Sequence, residues 1–302
     1  MALLTLLKAA RLPFLALTPV CVLLGYALAL RQAANVSLAD TALVFIGALA
    51  AHLAVNLLNE YLDFTSGLDF KTRRTPFSGG SGALVDDPLS AVLVLRAGCF
   101  CLFLVCLAGG YFLLQAPLSP YGRWQLLLIG LTGLAVIISY TRVLNRFPWL
   151  CLFAPGLGFG TLMVPGCVLL LAGEISGETW LLSLVPFFLI NNLLLLNQYP
   201  DIEADKSVGR NHFAIAYGIS RSNRVYGLFI LLPFLLLGLL IAAGRLPLLS
   251  IIALVPLLPG LWLAAKLARL GAGIGDSPGY LGANVAVTLV TTLLLAFSLL
   301  FA

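Results

Sequence analysis

The chain is predicted to be all-α: a polytopic membrane protein with nine transmembrane helices around a central cavity, closed at one end by a polar cap. Three observations predict this. Hydrophobic residues make up 61% of the 302 and charged residues only 10%, where a soluble domain carries about a quarter charged residues; mean hydropathy is strongly positive. Apolar stretches of membrane-crossing length, roughly 20 residues each, can be drawn nine times. Lys and Arg, finally, gather on one side of those nine spans.

The spans follow in order near 12–30, 41–58, 91–114, 124–141, 149–172, 180–199, 224–243, 247–268 and 280–301. Lys8 and Arg11 precede the first, as in a signal peptide, but no A-x-A-like cleavage site ends a short run, so it is expected to be retained. The second and sixth run into the longest and most polar loops. The third follows Asp86-Asp87-Pro88, read as a helix-start cap. Gly and Pro interrupt several spans, which membrane helices tolerate. Asn191 and Asn192, inside the sixth, are amides of the kind that join helices. Runs such as 231–240 do not alternate, which excludes a β-barrel. Residues 1–302 therefore read as a single transmembrane domain. The six cysteines all lie in apolar segments without metal-type spacing and read as small apolar fillers.

Loops on the N-terminal side of the bundle hold 13 of the Lys and Arg residues and the opposite loops 3. The positive-inside rule places the N-terminus and the basic loops in the cytoplasm. The bilayer is thus the expected partner, and nucleic acid is not, since no soluble basic domain or aromatic-basic patch exists. Most acids fall on the same side, which that rule does not require. Acids mixed with bases at membrane helix ends point to a functional site.

Two loops carry these acids. After the second span come Asn56, Asn59, Glu60, Tyr61, Asp63, Gly67 and Asp69. Asn56, Glu60 and Asp63 share one helical face with Asn59 beside it, and Gly67 can end the helix so that Asp69 swings back. After the sixth span come Asn197, Asp201, Glu203, Asp205, Lys206, Gly209 and Arg210. Asn197, Asp201 and Asp205, spaced by four, also share a face, with Pro200 kinking the helix or opening a new turn. Each cluster begins with Asn, places an acid at i+4 and continues into Lys or Arg, which suggests an old internal duplication.

Two facing carboxylate clusters repel unless a cation lies between them. Magnesium prefers oxygen ligands, keeps several waters and is usually bound by one or two carboxylates plus substrate phosphate. The expected ligands are Asn56, Asn59, Glu60, Asp63, Asp69, Asn197, Asp201 and Asp205. Arg11, Lys71, Arg73, Arg74, Arg142, Lys206 and Arg210 are candidates to neutralise a bound diphosphate. A diphosphate so held is a better leaving group. If the donor is allylic, a carbocation results, which an apolar membrane cavity shields from water. Tyr61, Tyr140 and Tyr199 stand near the motif ends, where their rings either face that cation or anchor the interface.

A solvated charged loop and a cation-coupled transporter are the competing readings. Transporters hold their charges near the bilayer midplane in broken helices, whereas these acids stand at helix ends beside bases. Gly79-Gly80-Ser81-Gly82 lacks the Gly-Lys-Ser/Thr of a phosphate loop and reads as a turn re-entering the third span. His52 is expected to make a helix-packing hydrogen bond. His212, beside Arg210, carries no assigned role.

Asn59-Glu60-x-x-Asp63 with Asp69, then Asp201-x-x-x-Asp205, in a nine-span chain of this length, resembles the UbiA superfamily of intramembrane prenyltransferases across essentially the whole chain. The resemblance implies that both motifs bind magnesium and a prenyl diphosphate, with a site open to the cytoplasm. Asp63, Asp69, Asp201, Asp205 and Tyr140 are then the expected catalytic residues; Ser139-Tyr140-Thr141-Arg142 resembles the Tyr-bearing end of the fourth helix. Asn56 through Asp69 and Asp201 through Arg210 are most similar to the 1,4-dihydroxy-2-naphthoate polyprenyltransferases of menaquinone synthesis. That branch implies a small aromatic acceptor and the inner (cell) membrane of a bacterium or archaeon. Prenyl transfer to a non-quinone acceptor is the alternative. The chain departs from the pattern at Glu60, where Asp is usual, and at Phe159, where related enzymes often carry an acid after Gly-Leu-Gly.

Overall fold

The computed structural model describes residues 2–32 and 35–301, and among them every regular element is helical. Among the described residues, nine helical segments are long and apolar enough to cross a membrane. A short helix, α1 (Ala2–Ala9), precedes them. The first span is a 3₁₀ turn, Leu12–Ala16, followed by α2 (Leu17–Gln32). The second is α3 (Leu38–Thr65), the third α5 (Ala91–Gln115), with the one-turn α4 (Ala83–Asp86) between them, and the fourth α6 (Pro120–Ser139). The fifth joins α7 (Pro148–Gly156) to α8 (Val164–Ala172) through a π-helical stretch, Leu157–Met163. The sixth is α9 (Gly177–Asn197), followed by the short α10 (Ile202–Ser207). The last three are α11 (Phe213–Ala242), a 3₁₀ segment leading into α12 (Leu257–Leu270), and α13 (Pro278–Leu300).

Local chemistry sets these boundaries. Ser37, Ser119 and Ser176 each accept a backbone N–H in the first turn that follows, capping α3, α6 and α9. The second span extends past the expected 41–58 because no breaker occurs before Gly67, so its acidic motif rides on the helix. Gly67 then adopts φ 79°, the left-handed geometry that glycine takes without steric cost. The expected side-chain cap at Asp86-Asp87 is absent. Asp86 instead pairs with Lys8 and Arg74, while Asp87 accepts from the hydroxyls of Thr5 and Ser90. Lys8 and Arg74 hold the Asp86 carboxyl below its usual range.

Packing divides the bundle unevenly. The largest core joins α2, α9, α11, α12 and α13 through residues such as Leu24, Leu189, Tyr226, Leu237 and Leu295. Helix α9 lies between α7 and α11, and α2 between α8 and α13. Buried amides stitch this half together: Asn192 donates to the Tyr226 carbonyl and Asn284 to that of Asn192, while Tyr226 donates to Asn284 Oδ1. Asn191 Oδ1 accepts the Gly156 N–H at 2.6 Å. Helices α3, α5 and α6 form a thinner wall whose outer side chains, such as Phe100, Phe103, Leu114 and Leu128, are exposed, as suits a lipid-facing surface. Between wall and core lies the cavity.

Candidate active site

A cavity of about 620 Å³ runs through the bundle. Its lining extends from Leu43 and Val44 near the start of α3 to Asp63 near the end, about 30 Å along the helix axis at 1.5 Å per residue. The stem is apolar, with residues such as Val55, Leu113, Leu126 and Leu170. The rim is polar and brings both acidic motifs to one chamber: Asn56, Asn59, Asp63 and Asp69 from the first, Asn197, Asp201 and Asp205 from the second, with Arg11, Tyr140 and Arg210.

Arg210 ties the motifs together. One guanidinium nitrogen pairs with Asp63 and the other donates to Asp205 Oδ1 at 2.9 Å. Burial opposes its charge, but the two carboxylates outweigh burial and raise its pKa. His212 lies 3.3 Å from the other Asp205 oxygen. Asp63 also accepts from Asn59, whose carbonyl oxygen in turn accepts the Thr141 hydroxyl at 2.8 Å. Asn56 donates to the Ala10 carbonyl, fixing the turn that carries Arg11. Arg11 has φ 52° and is the one non-glycine residue with positive φ among the described residues.

The second motif departs from the expected single helical face. Helix α9 ends at Asn197 and α10 begins at Ile202, because Pro200 lacks an N–H and cannot continue the ladder. The three side chains still reach the rim, Asn197 from the last residue of α9, Asp201 from the turn and Asp205 from α10. Asp201 is positioned by the 72–82 loop: its Oδ2 accepts the Gly79 N–H at 2.8 Å. Gly79 has φ 80°, and a Cβ there would collide with the Arg73 backbone. The glycine-rich segment, read from the sequence as a turn re-entering the third span, therefore also folds into the site. Spacing held no signal for this, because the partners lie 122 residues apart.

Glu60, expected among the metal ligands, has zero exposure and is absent from the cavity lining. It accepts from the Ser81 hydroxyl at 2.5 Å, from the backbone N–H of Ser81 and Ala83, and from Arg11 at 3.4 Å. A carboxylate accepting this many donors is satisfied within the protein, so its place is that of a loop anchor. Lys71, Arg73, Arg142 and Lys206 also lie outside the lining. Lys71 reaches Ser207 and Arg73 pairs with Asp276 while 81% exposed; Arg142 and Lys206 are exposed at the surface. Long cationic side chains keep their charged ends in water when no buried partner claims them.

Among the described residues, no three His, Cys or carboxylate side chains form a ready chelate. The rim does hold three buried oxygens without a hydrogen-bond partner: Asp69 Oδ2, Asn197 Oδ1 and Asp201 Oδ1. Buried acceptors are ordinarily satisfied, and three hard oxygens in one chamber suit a magnesium ion that keeps waters and shares phosphate oxygens. Burial, with Glu60 and Asp63 nearby, pushes the Asp69 carboxyl up to about 7. Burial lifts Asp201 to about 6 against the opposing hydrogen bond from Gly79. Tyr140 is pushed well above its usual range by burial, so its ring meets the chamber as a neutral phenol. Tyr199 points away, donating to Asn223 at 2.7 Å.

The profile of the UbiA prenyltransferase family matches residues 18–278. The chain belongs to that family. It is 31% identical over 224 residues to UbiA prenyltransferase domain-containing protein 1 of Xenopus tropicalis, covering 72% of this chain and 61% of that protein. It is 30% identical over 200 residues to the 1,4-dihydroxy-2-naphthoate octaprenyltransferase of Bacillus subtilis, covering 65% and 60%. The chain thus spans about three fifths of the length of these curated relatives. Its fold is that of a UbiA homologue from Aeropyrum pernix (TM-score 0.70, 18% identity, 92% of this chain and 95% of that one). It is also that of a UbiA homologue from Archaeoglobus fulgidus bound to DMAPP and Mg2+ (TM-score 0.65, 15% identity, 97% and 99%).

Proposed function

We propose that this chain, acting as one catalytic unit, transfers a prenyl group from a prenyl diphosphate to a small aromatic acceptor of the 1,4-dihydroxy-2-naphthoate type. Menaquinone synthesis is the pathway that such a reaction would serve. The observation that carries the reading is the convergence of two distant acidic motifs on one rim above a long apolar stem. A diphosphate requires the first and an isoprenoid tail the second. The Bacillus relative's octaprenyltransferase name and the Archaeoglobus homologue's DMAPP and Mg2+ support it.

Asp69, Asn197 and Asp201 would hold magnesium, with Asp63 and Asp205 completing the acidic rim. When bound, the ion supplies charge neutralisation for the departing diphosphate. Arg11 and Arg210 face the same chamber and add fixed positive charge beside the leaving oxygens. The stem walls keep water from the allylic cation, and the neutral Tyr140 ring offers it a π face. We place the rim and the N-terminus in the cytoplasm, following the lopsided Lys and Arg distribution, in a bacterial or archaeal cell membrane.

The test is an assay of purified protein with labelled prenyl diphosphates of graded length, with and without magnesium. Dihydroxynaphthoate, hydroxybenzoate and geranylgeranylglyceryl phosphate serve as acceptors. Magnesium-dependent transfer to dihydroxynaphthoate is the expected result. Transfer only to the glycerol phosphate would move the acceptor to the lipid class, and ion flux in liposomes without diphosphate release would overturn the transferase reading.

A further inference from the structure

His52 is the one imidazole or carboxylate below the rim among the described cavity-lining residues. It stands four, seven and eleven residues before Asn56, Asn59 and Asp63, a spacing that puts all four on one face of α3. It therefore lies about 6 Å beneath Asn56 along the helix axis, at the top of the apolar stem. The side chain is 4% exposed. Nδ1 is paired with the hydroxyl of the fully buried Thr18 at 2.8 Å, and Nε2 has no hydrogen-bond partner among the described residues. An imidazole half-satisfied in an apolar channel is costly, and helix packing alone would be served by an apolar side chain.

The ring is also fixed from the side. Phe159 meets it edge-on, with centroids 4.6 Å apart and planes at 72°. Phe159 lines the same cavity and comes from the π-helical stretch Leu157–Met163, an irregularity frequent at functional sites. A fixed imidazole nitrogen beside an aromatic ring, one helical turn below the rim, suits a planar hydroxyl-bearing ring that must meet the donor's first carbon.

We infer that His52 contacts the acceptor through Nε2 and takes its hydroxyl proton during transfer. This rests on the proposed transferase reading. This step requires the tautomer in which Nδ1–H donates to the Thr18 hydroxyl, which leaves Nε2 with a lone pair. As a ring carbon bonds to the first carbon of the prenyl group, the C–O bond to diphosphate breaks and its electron pair leaves with the diphosphate. The conjugated hydroxyl passes its proton to Nε2, so the ring is left as a neutral ketone. If the attacked carbon bears a carboxylate, carbon dioxide departs, its bonding pair returns to the ring, and the imidazolium returns the proton to the oxygen. Asp63, Asp201 and Asp205 are poorly placed for this step, because Arg210 and Gly79 hold them at the rim.

His52→Gln keeps a partner for Thr18 but accepts no proton. With geranylgeranyl diphosphate, dihydroxynaphthoate and magnesium, its kcat is expected to fall about a hundredfold or more, the range of general base catalysis. Magnesium-dependent binding of geranylgeranyl diphosphate and the thermal midpoint in detergent should stay as in the wild type. Thr18→Val, which frees the tautomer, should lower kcat by about tenfold, as loss of an orienting partner does. His52→Asn repeats the measurement should the Gln variant misfold. Wild-type kcat in either His52 variant, or donor binding lost in step with kcat, would overturn the assignment. Wild-type turnover in the same assay tests the transferase reading separately, and its absence overturns both.

Discussion

At the end of α3 the acidic side chains ride on an unbroken helix, whereas beyond α9 the chain stops, turns at Pro200 and restarts in α10. Both segments read Asn, then an acid four residues on. In the first, that acid is Glu60, which the helix turns toward the 81–83 segment and away from the chamber. In the second it is Asp201, which the turn leaves on the rim with one oxygen held by Gly79 and the other unpartnered. Equal spacing therefore does not give equal roles. Whether the backbone continues as a helix decides which face an acid presents, and the 72–82 loop, wedged between the motifs, uses one acid as an anchor and the other as a neighbour.

The largest expected effect separates the rim from the anchors. Asp63→Ala and Asp201→Ala should each reduce magnesium-dependent transfer by at least about a hundredfold, the scale for removing one electrostatic contact to a transition state, in protein that still inserts and folds. Unaltered transfer in either variant would reject the shared chamber as the reaction site. Removing the bridge comes next. Arg210→Ala leaves Asp63 and Asp205 facing each other without their cation and should destabilise the fold by about 3–5 kcal/mol, read as a lowered thermal midpoint in detergent. Arg210→Lys should recover only part of that loss, since an ammonium cannot span two carboxylates as a planar fork does. An unchanged midpoint in both would mean that the motifs are held together by other contacts.

Glu60→Gln sharpens the contrast between the two i+4 acids. It should raise the KM for prenyl diphosphate by about tenfold or less, the worth of one charge-assisted hydrogen bond, and speed amide exchange across residues 79–83. The magnesium concentration needed for half-maximal activity should stay the same, whereas a large rise would return Glu60 to the metal ligands. Smallest of all, Arg73→Ala, Arg142→Ala and Lys206→Ala should leave kcat/KM within about twofold, as expected for exposed charges. A hundredfold loss in any one would show that the loop closes over the substrate.

Composition and hydropathy alone determined the membrane class, the all-α fold and the nine crossings, because a bilayer permits few ways to satisfy backbone polar groups. The interhelical hydrogen bonds of His52, Asn191 and Asn192 were also legible, since a polar group inside an apolar span must find a partner nearby. So was the return of Asp69 past Gly67. Tertiary structure alone decided which acids share the chamber, that Arg210 bridges the motifs and that Gly79 and Ser81 complete the site. These contacts join segments 21 to 147 residues apart, and local spacing carries no information about them. An acid's role follows from the donors that surround it after packing. The sequence names the acid, and only the assembled helices supply the donors.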